Sequence, residues 1–203
     1  MRGVHTALVP VVGLALLAVG GCGTGATLDV RYPAESTRPA GLASGPPRRV
    51  AVVPVADRRV DASRIGAWPK DDGAILTRQP VAEIVHGAIV TELIRSGHTI
   101  VSETPDLAVA AAVEAFWLDM TRIYPGRQYL ARVVIVVSVT DWRDGSTLLS
   151  RRFIGTKRRL VDGTSEQAAR DVMDAALARA MHDLATDPDL IAVLARRPGA
   201  APA

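Results

Sequence analysis

Apolar residues along this chain recur at two different periods, and the switches between them mark its elements. Arg49-Val-Ala-Val-Val-Pro-Val55 is a valine-rich run that predicts a buried strand, with Pro54 setting an edge or an early end, and the run leaves the sheet at Asp57-Arg58-Arg59. From Asp57 to Thr77 no apolar period is sustained, so this stretch reads as a long loop, and loops of such length in compact domains are often functional. Val81, Ile84, Val85, Ala88, Ile89 and Leu93 then repeat every three or four residues, which predicts an amphipathic helix with Pro80 in its first turn and Gly97 as its stop.

His98 to Ser102 reads as a short strand, and Asp106 opens a longer one. In that strand Leu107, Val109, Ala111, Val113, Ala115 and Trp117 share one face, and Ala108, Ala110 and Ala112 on the other are small enough to let a helix pack closely. Gln128 to Thr140 contains Val133-Val-Ile-Val-Val137, apolar on both faces, and Asp144-Gly145 predicts a tight hairpin turn into a partner strand over Leu148 to Gly155. Thr164-Ser-Glu-Gln167 looks like a capping box ahead of the stripe Ala169, Val172, Met173, Ala176, Leu177, Ala180 and Leu184. Asp187-Pro188 opens a short terminal helix through Leu190, Ile191 and Leu194. The order β-α-β-β-β-β-α-α predicts an α+β domain, a mostly antiparallel mixed sheet with two long helices packed on one face.

Upstream of the domain the pattern has a different meaning. A basic start, Arg2 and His5, precedes the apolar run Ala7 to Val19, the layout of a secretory signal. The run is shorter than the roughly 20 residues a permanent membrane helix needs, and no charged flank follows it. Val19-Gly20-Gly21-Cys22 resembles a bacterial lipobox, in which small residues fit the signal peptidase and the thiol accepts a diacylglycerol. Several acyl chains on Cys22 would hold the protein firmly to a membrane, since each buried methylene contributes about 0.8 kcal/mol. Residues 1–21 are thus expected to be a signal peptide. Residues 22–47, rich in Gly, Ala, Ser and Pro, read as a flexible tether with at most one edge strand at Leu28 to Tyr32 and a random-coil reach of roughly 25 to 30 Å. A single domain is expected over 48–195, and a disordered tail over 196–203.

Composition adds constraints. Cys22 is the only cysteine, so no intramolecular disulfide is possible and the fold must rest on its core. The net charge is a modest +3, and nearly all the positive charge is arginine. Arginine pairs at 48–49, 58–59 and 151–152 and the run Lys157-Arg158-Arg159 read first as solvated strand ends, with anionic lipid headgroups as the alternative. Nucleic acid is not an expected partner in an exported protein.

Candidate chemistry is sparse. His86, His98 and His182 have no metal-ligand neighbour at a binding spacing, so neither a metal nor a cofactor is expected. The chain contains no Gly-x-Ser-x-Gly elbow, and its glycine-rich stretches lie in the tether, with no strand and helix to aim their amides at a phosphate. No catalytic residue is assigned. Asp57 and Arg59 at the strand exit, with Arg64, form either a structural loop pairing or part of a partner or ligand loop that also includes Trp68. Trp68, Trp117 and Trp142 are candidates for a groove lining or for rim packing.

Lipobox Cys22, the valine strand ending in Asp57-Arg58-Arg59, Ile65-Gly66, the helix ending in Ser96-Gly97, the strand from Asp106 and the final Asp187-Pro188-Asp-Leu-Ile191 together resemble the YajG-like family of bacterial envelope lipoproteins, over roughly residues 49 to 194. The resemblance implies an envelope lipoprotein without assigned enzymatic activity, acylated at Cys22, with Asp57 and Arg59 matching the family's strand-exit pattern. Gly23 stands where a retention aspartate would argue for the inner membrane, which implies the periplasmic face of the outer membrane. The expected role is non-catalytic binding or scaffolding with an envelope protein or lipid. The alternatives are an auxiliary lipoprotein of an ABC-type lipid or solute transport system and, with less support, a cell-envelope hydrolase.

Overall fold

The computed structural model describes residues 25–33, 42, 45–68 and 73–196. The signal segment, Cys22, Pro69 to Asp72 and the tail beyond Arg196 lie outside the described residues. Among the described residues there are nine strands and three helices: β1 (Ala26–Leu28), β2 (Arg49–Val52), β3 (Ala56–Asp57), β4 (Gly66–Ala67), β5 (Ala74–Thr77), α1 (Val81–Arg95), β6 (Thr99–Ile100), β7 (Leu107–Arg122), β8 (Arg127–Asp141), β9 (Thr147–Val161), α2 (Glu166–Thr186) and α3 (Pro188–Ala195). The architecture is α+β with one open mixed sheet.

The element order departs from β-α-β-β-β-β-α-α because four short strands precede or interrupt what the pattern left as tether and loop. The centre of the sheet is an antiparallel meander of β7, β8 and β9, paired over nearly their whole lengths. The other edge of β7 is occupied in series by three short parallel strands, β2 at Val50 to Val52, β3 at Ala56 and Asp57, and β4 at Gly66. β6 adds to β2, β5 to β4, and β1 to β5. Strands of two to four residues show no period of their own. They are held in place by the long edge they add to.

The expectation that Ala115 and Trp117 share a face with Leu107 and Val113 is corrected by a β-bulge between Val113 and Ala115. Before it Leu107, Val109, Ala111 and Val113 are buried in the helix-facing core, and after it Phe116 and Leu118 take over that face. The alanines therefore do not receive a helix. Ala108 and Ala110 lie half-buried on the opposite side, with Ala115 and Trp117. β7 and β9 also run further than expected, to Arg122 and Val161, since strand ends with one face in water tolerate charged residues that break the apolar pattern.

α2 packs along β9 and β8, while α1 packs on β7, β6 and β3 and touches α2. α1 ends in a Schellman motif, with His98 N–H donating to Leu93 O (3.0 Å) and Gly97 N–H to Ile94 O (2.9 Å) around a Gly97 of φ +86°. The N-cap of α2 is Ser165, one residue later than the capping box suggested, and its hydroxyl accepts from Ala168 N–H (3.1 Å). Asp187 caps α3 by accepting from Leu190 N–H (2.8 Å), with Pro188 following it in the first turn.

The flexible tether expected over 22–47 is corrected in its described part. Ala26 to Leu28 pair with Ile75 to Thr77, and Leu28, Val30 and Leu42 belong to the main core. Arg31 N–H donates to Asp174 of α2 (2.9 Å), and the Tyr32 hydroxyl donates to the buried carboxylate of Glu92 of α1 (2.5 Å), which also pairs with Arg95. Buried apolar side chains and hydrogen bonds to two helices join this segment to the domain, which glycine, serine and proline content alone does not reveal.

Candidate functional site

β3 ends at Asp57, where the backbone leaves β7 and turns outward until Ile65 rejoins it, with Leu118 N–H donating to Ile65 O (2.7 Å). Arg59 organises the intervening loop. Its guanidinium grips Asp57 in a forked pair, Nε to Oδ1 at 2.9 Å and Nη2 to Oδ2 at 2.8 Å, and donates onward to the carbonyls of Arg64 (2.9 Å) and Ala62 (3.0 Å). The Arg59 side chain is only 6% exposed, so the planar fork acts as an internal brace. Its hydrogen bonds hold the Asp57 carboxyl below the usual carboxylate range, against the opposing effect of partial burial.

A second unit follows within the same loop. Asp61 accepts from the Ser63 hydroxyl (2.5 Å), from Ser63 N–H (3.0 Å) and from Arg64 Nε (2.7 Å). These donors, Ser63 first and Arg64 next, push its pKa down to about 2. The Arg64 guanidinium sits 5.7 Å from the centre of the Trp117 ring, a cation–π distance, and Trp117 Nε1 donates to Asp119 (2.8 Å).

Two cavities share Arg59 and Arg64 as lining. One, of about 410 Å³, opens toward Leu76 to Val81 at the start of α1. The other, of about 350 Å³, opens toward Glu114 to Trp117 on β7. A third, of about 340 Å³, lies between Pro54 and Val55 and the α1 residues Ala82, Glu83, His86 and Gly87, and its walls are mainly apolar.

The structure therefore brings together Asp57, Arg59 and Arg64 but not Trp68. Trp68 packs half-buried against the core, with its N–H on Gly73 O (2.9 Å), and it lines none of these cavities. Trp117 takes the place expected of it, through a contact across more than fifty residues that no local signal announces. Asp61 and Ser63 join the site through Asp-x-Ser, an Asx-turn pattern whose only signal in the sequence is local. His98 is buried, and its Nδ1 accepts from Arg48 N–H (3.3 Å). Burial lowers its pKa first, the Leu42 backbone opposes this, and the Arg48 charge lowers it further, so a guanidinium rather than a carboxylate is its charged neighbour. Among the described residues no group of three or more His, Cys, Asp or Glu side chains is arranged to hold a metal, and no helix is long and apolar enough to cross a membrane.

No family model matches the chain, and no curated protein does. Solved structures do. A Xanthomonas campestris protein of the DUF330 family superposes with a TM-score of 0.60 at 16% identity, over 83% of this chain and 96% of its own. A candidate lipoprotein of Caulobacter crescentus gives 0.44 at 15% identity, over 77% and 95% of the two chains, and a lipoprotein of Neisseria meningitidis gives 0.30 at 16%, over 64% and 96%. The first likeness shows a shared fold, and the other two are too distant to add to it. The YajG-like resemblance rests on the sequence motifs alone.

Proposed function

We propose that this protein is an envelope lipoprotein of YajG-like type, acylated on Cys22 and held at the periplasmic face of the outer membrane. Its domain acts there without catalysis, as a binding or scaffolding component. The observation that carries this reading is how soon the lipobox is followed by the sheet. Ala26 already pairs with Ile75, so an acyl group on Cys22 leaves the domain close against the membrane rather than on a long leash. A binding role fits the 57–64 loop, whose charged side chains brace one another and present two shaped cavities with Arg59 and Arg64 in their walls.

A second reading, an auxiliary lipoprotein of an ABC-type lipid or solute transport system, is favoured by the mainly apolar groove between Pro54 and α1, which suits an acyl chain better than a polar ligand. Purification from detergent-solubilised envelopes, beside Cys22→Ala, with mass spectrometry of protein and lipid tests both. Acyl mass on the wild type and loss of membrane retention in the variant are expected. A wild-type chain at unmodified mass would end the lipoprotein reading, and reproducible transporter subunits or bound lipid would favour the second.

A further inference from the structure

The β7–β8 hairpin ends in Ile123-Tyr124-Pro125-Gly126, closed by Ile123 N–H donating to Gly126 O (3.0 Å). Tyr124 is fully exposed at 101% and Ile123 is 36% exposed, and Leu160 on the adjoining end of β9 is 63% exposed. Large apolar side chains rarely gather at a strand end without a partner surface. The register places Arg122 opposite Arg127 at the base of the turn, with Arg158 beside Leu130 and Lys157 beside Ala131 three and four rows further back along the sheet. Among the described residues none of these four forms an ion pair, whereas their neighbour Arg159 is tied to Asp171 (2.9 Å). Of the acids at this end, Asp119 is engaged by Trp117, and one carboxylate, Asp162, stands beside Gly126 of the turn. The result is an aromatic and aliphatic tip backed by four cations, the composition that suits the boundary between anionic headgroups and acyl chains.

Topology places that tip on the side from which the chain arrives. β4 runs parallel to β7, with Gly66 opposite Leu118, β5 runs antiparallel to β4, and β1 runs parallel to β5 with Ala26 opposite Ile75. β1 therefore runs away from the hairpin tip, and its first residue is the one nearest to it. Ala26 and Leu118 lie on one row, three strand spacings apart, roughly 15 Å. The four residues from Ala26 back to Cys22 span at most about 14 Å, and the four from Leu118 to Arg122 rise by about 14 Å. A membrane plane that holds acyl chains on Cys22 is thus within about 14 Å of the row of Ala26, and the hairpin tip stands on that same side of the sheet.

We propose that the β7–β8 hairpin tip is a second membrane contact, in which Tyr124, Ile123 and Leu160 enter the interface of an anionic bilayer and Arg122, Arg127, Lys157 and Arg158 meet its phosphates. The height argument rests on the anchor reading above. The charge and exposure of the tip do not.

The test uses the acylated chain, in which the one native cysteine is blocked. Tyr124→Cys and, at the opposite end of the sheet, Trp142→Cys each give a single site for an environment-sensitive fluorophore, and both proteins are reconstituted into vesicles with one third phosphatidylglycerol. Blue-shifted emission, quenched by bromolipid, is expected at position 124 and not at 142, and water-like emission at 124 would overturn the proposal. If the wild-type chain itself takes up the label, Cys22 is free and the anchor reading fails separately. The tip is then read by flotation of full-length Cys22→Ser. Binding to phosphatidylglycerol vesicles but not to phosphatidylcholine, weakened about fivefold per cation by Lys157→Gln and Arg158→Gln, supports it. Binding indifferent to lipid charge and to these substitutions overturns it.

Discussion

Gly155 of β9 faces the backbone of Ala176 in α2 so closely that a Cβ on Gly155 would lie 1.9 Å from the Ala176 carbonyl oxygen and 2.6 Å from Ala180 N. Both atoms are main chain, so no rotamer change relieves the clash and α2 must lift from the sheet. Gly155→Ala is expected to destabilise the domain by about 3 kcal/mol, at the upper end of overpacking costs, and to lower Tm by roughly 6–12 °C. A variant within a degree of wild type in a thermal melt would show that α2 does not pack there.

Arg59 connects Asp57 to two backbone carbonyls, so Arg59→Ala strips the guanidinium donors from all three and leaves Asp57 only the backbone N–H of residue 59. A loss of about 2–3 kcal/mol by chemical denaturation is expected, with Asp57→Asn costing less because its amide oxygen can still accept one bond. A double-mutant cycle with Asp57→Ala should return a coupling above about 1 kcal/mol. Additive effects would mean that the forked pair does not brace the loop.

Acid should weaken the same loop. Asp57 and Asp61 titrate below their ordinary 3.8, Asp61 at about 2, so the stability they contribute is complete above pH 4 and is lost as pH falls between about 4 and 2. Buried His98, with its pKa lowered from 6.5, adds an earlier decline, because below that pH the unfolded chain takes up a proton that the folded one resists. Asp61→Asn should flatten the lower part of a stability–pH curve and His98→Gln the upper part, both measured by urea midpoint.

Tyr32→Phe removes the donor to a Glu92 carboxylate whose side chain is only 3% exposed. About 1.5–3 kcal/mol should be lost, with faster limited proteolysis between residues 33 and 48. Unchanged cleavage would indicate that β1, the buried Leu28, Val30 and Leu42 and the Arg31–Asp174 bond retain the segment without it.

What sequence reasoning recovered was whatever is decided locally. The antiparallel pairing of β8 with β9 follows from its turn chemistry, and Gly97 and Asp187 mark the helix boundaries that cap chemistry predicts. Elements whose position is decided by a distant neighbour were not recovered. β3, β4 and β5 borrow their geometry from β7 and from one another, and β1 adds to a strand almost fifty residues away. The bulge at Glu114 inverts a face without altering the alternation on either side. At the candidate site the local pair Asp57–Arg59 was legible, whereas Arg64 over Trp117 is a tertiary contact with no sequence spacing to announce it.

The serial arrangement of β2, β3 and β4 along one edge of β7 also governs the order of assembly. A ribosome delivers residues 49–67 well before 107–122, so the first half of the chain emerges with only its short strands to pair with one another and without the long edge of β7. The later meander and α2 are built from near neighbours in sequence and can form first, after which the earlier segments close onto β7 across long loops. A chain truncated after α1 should therefore gain no stable sheet, and a chaperone that shields the early segments would speed folding of the whole.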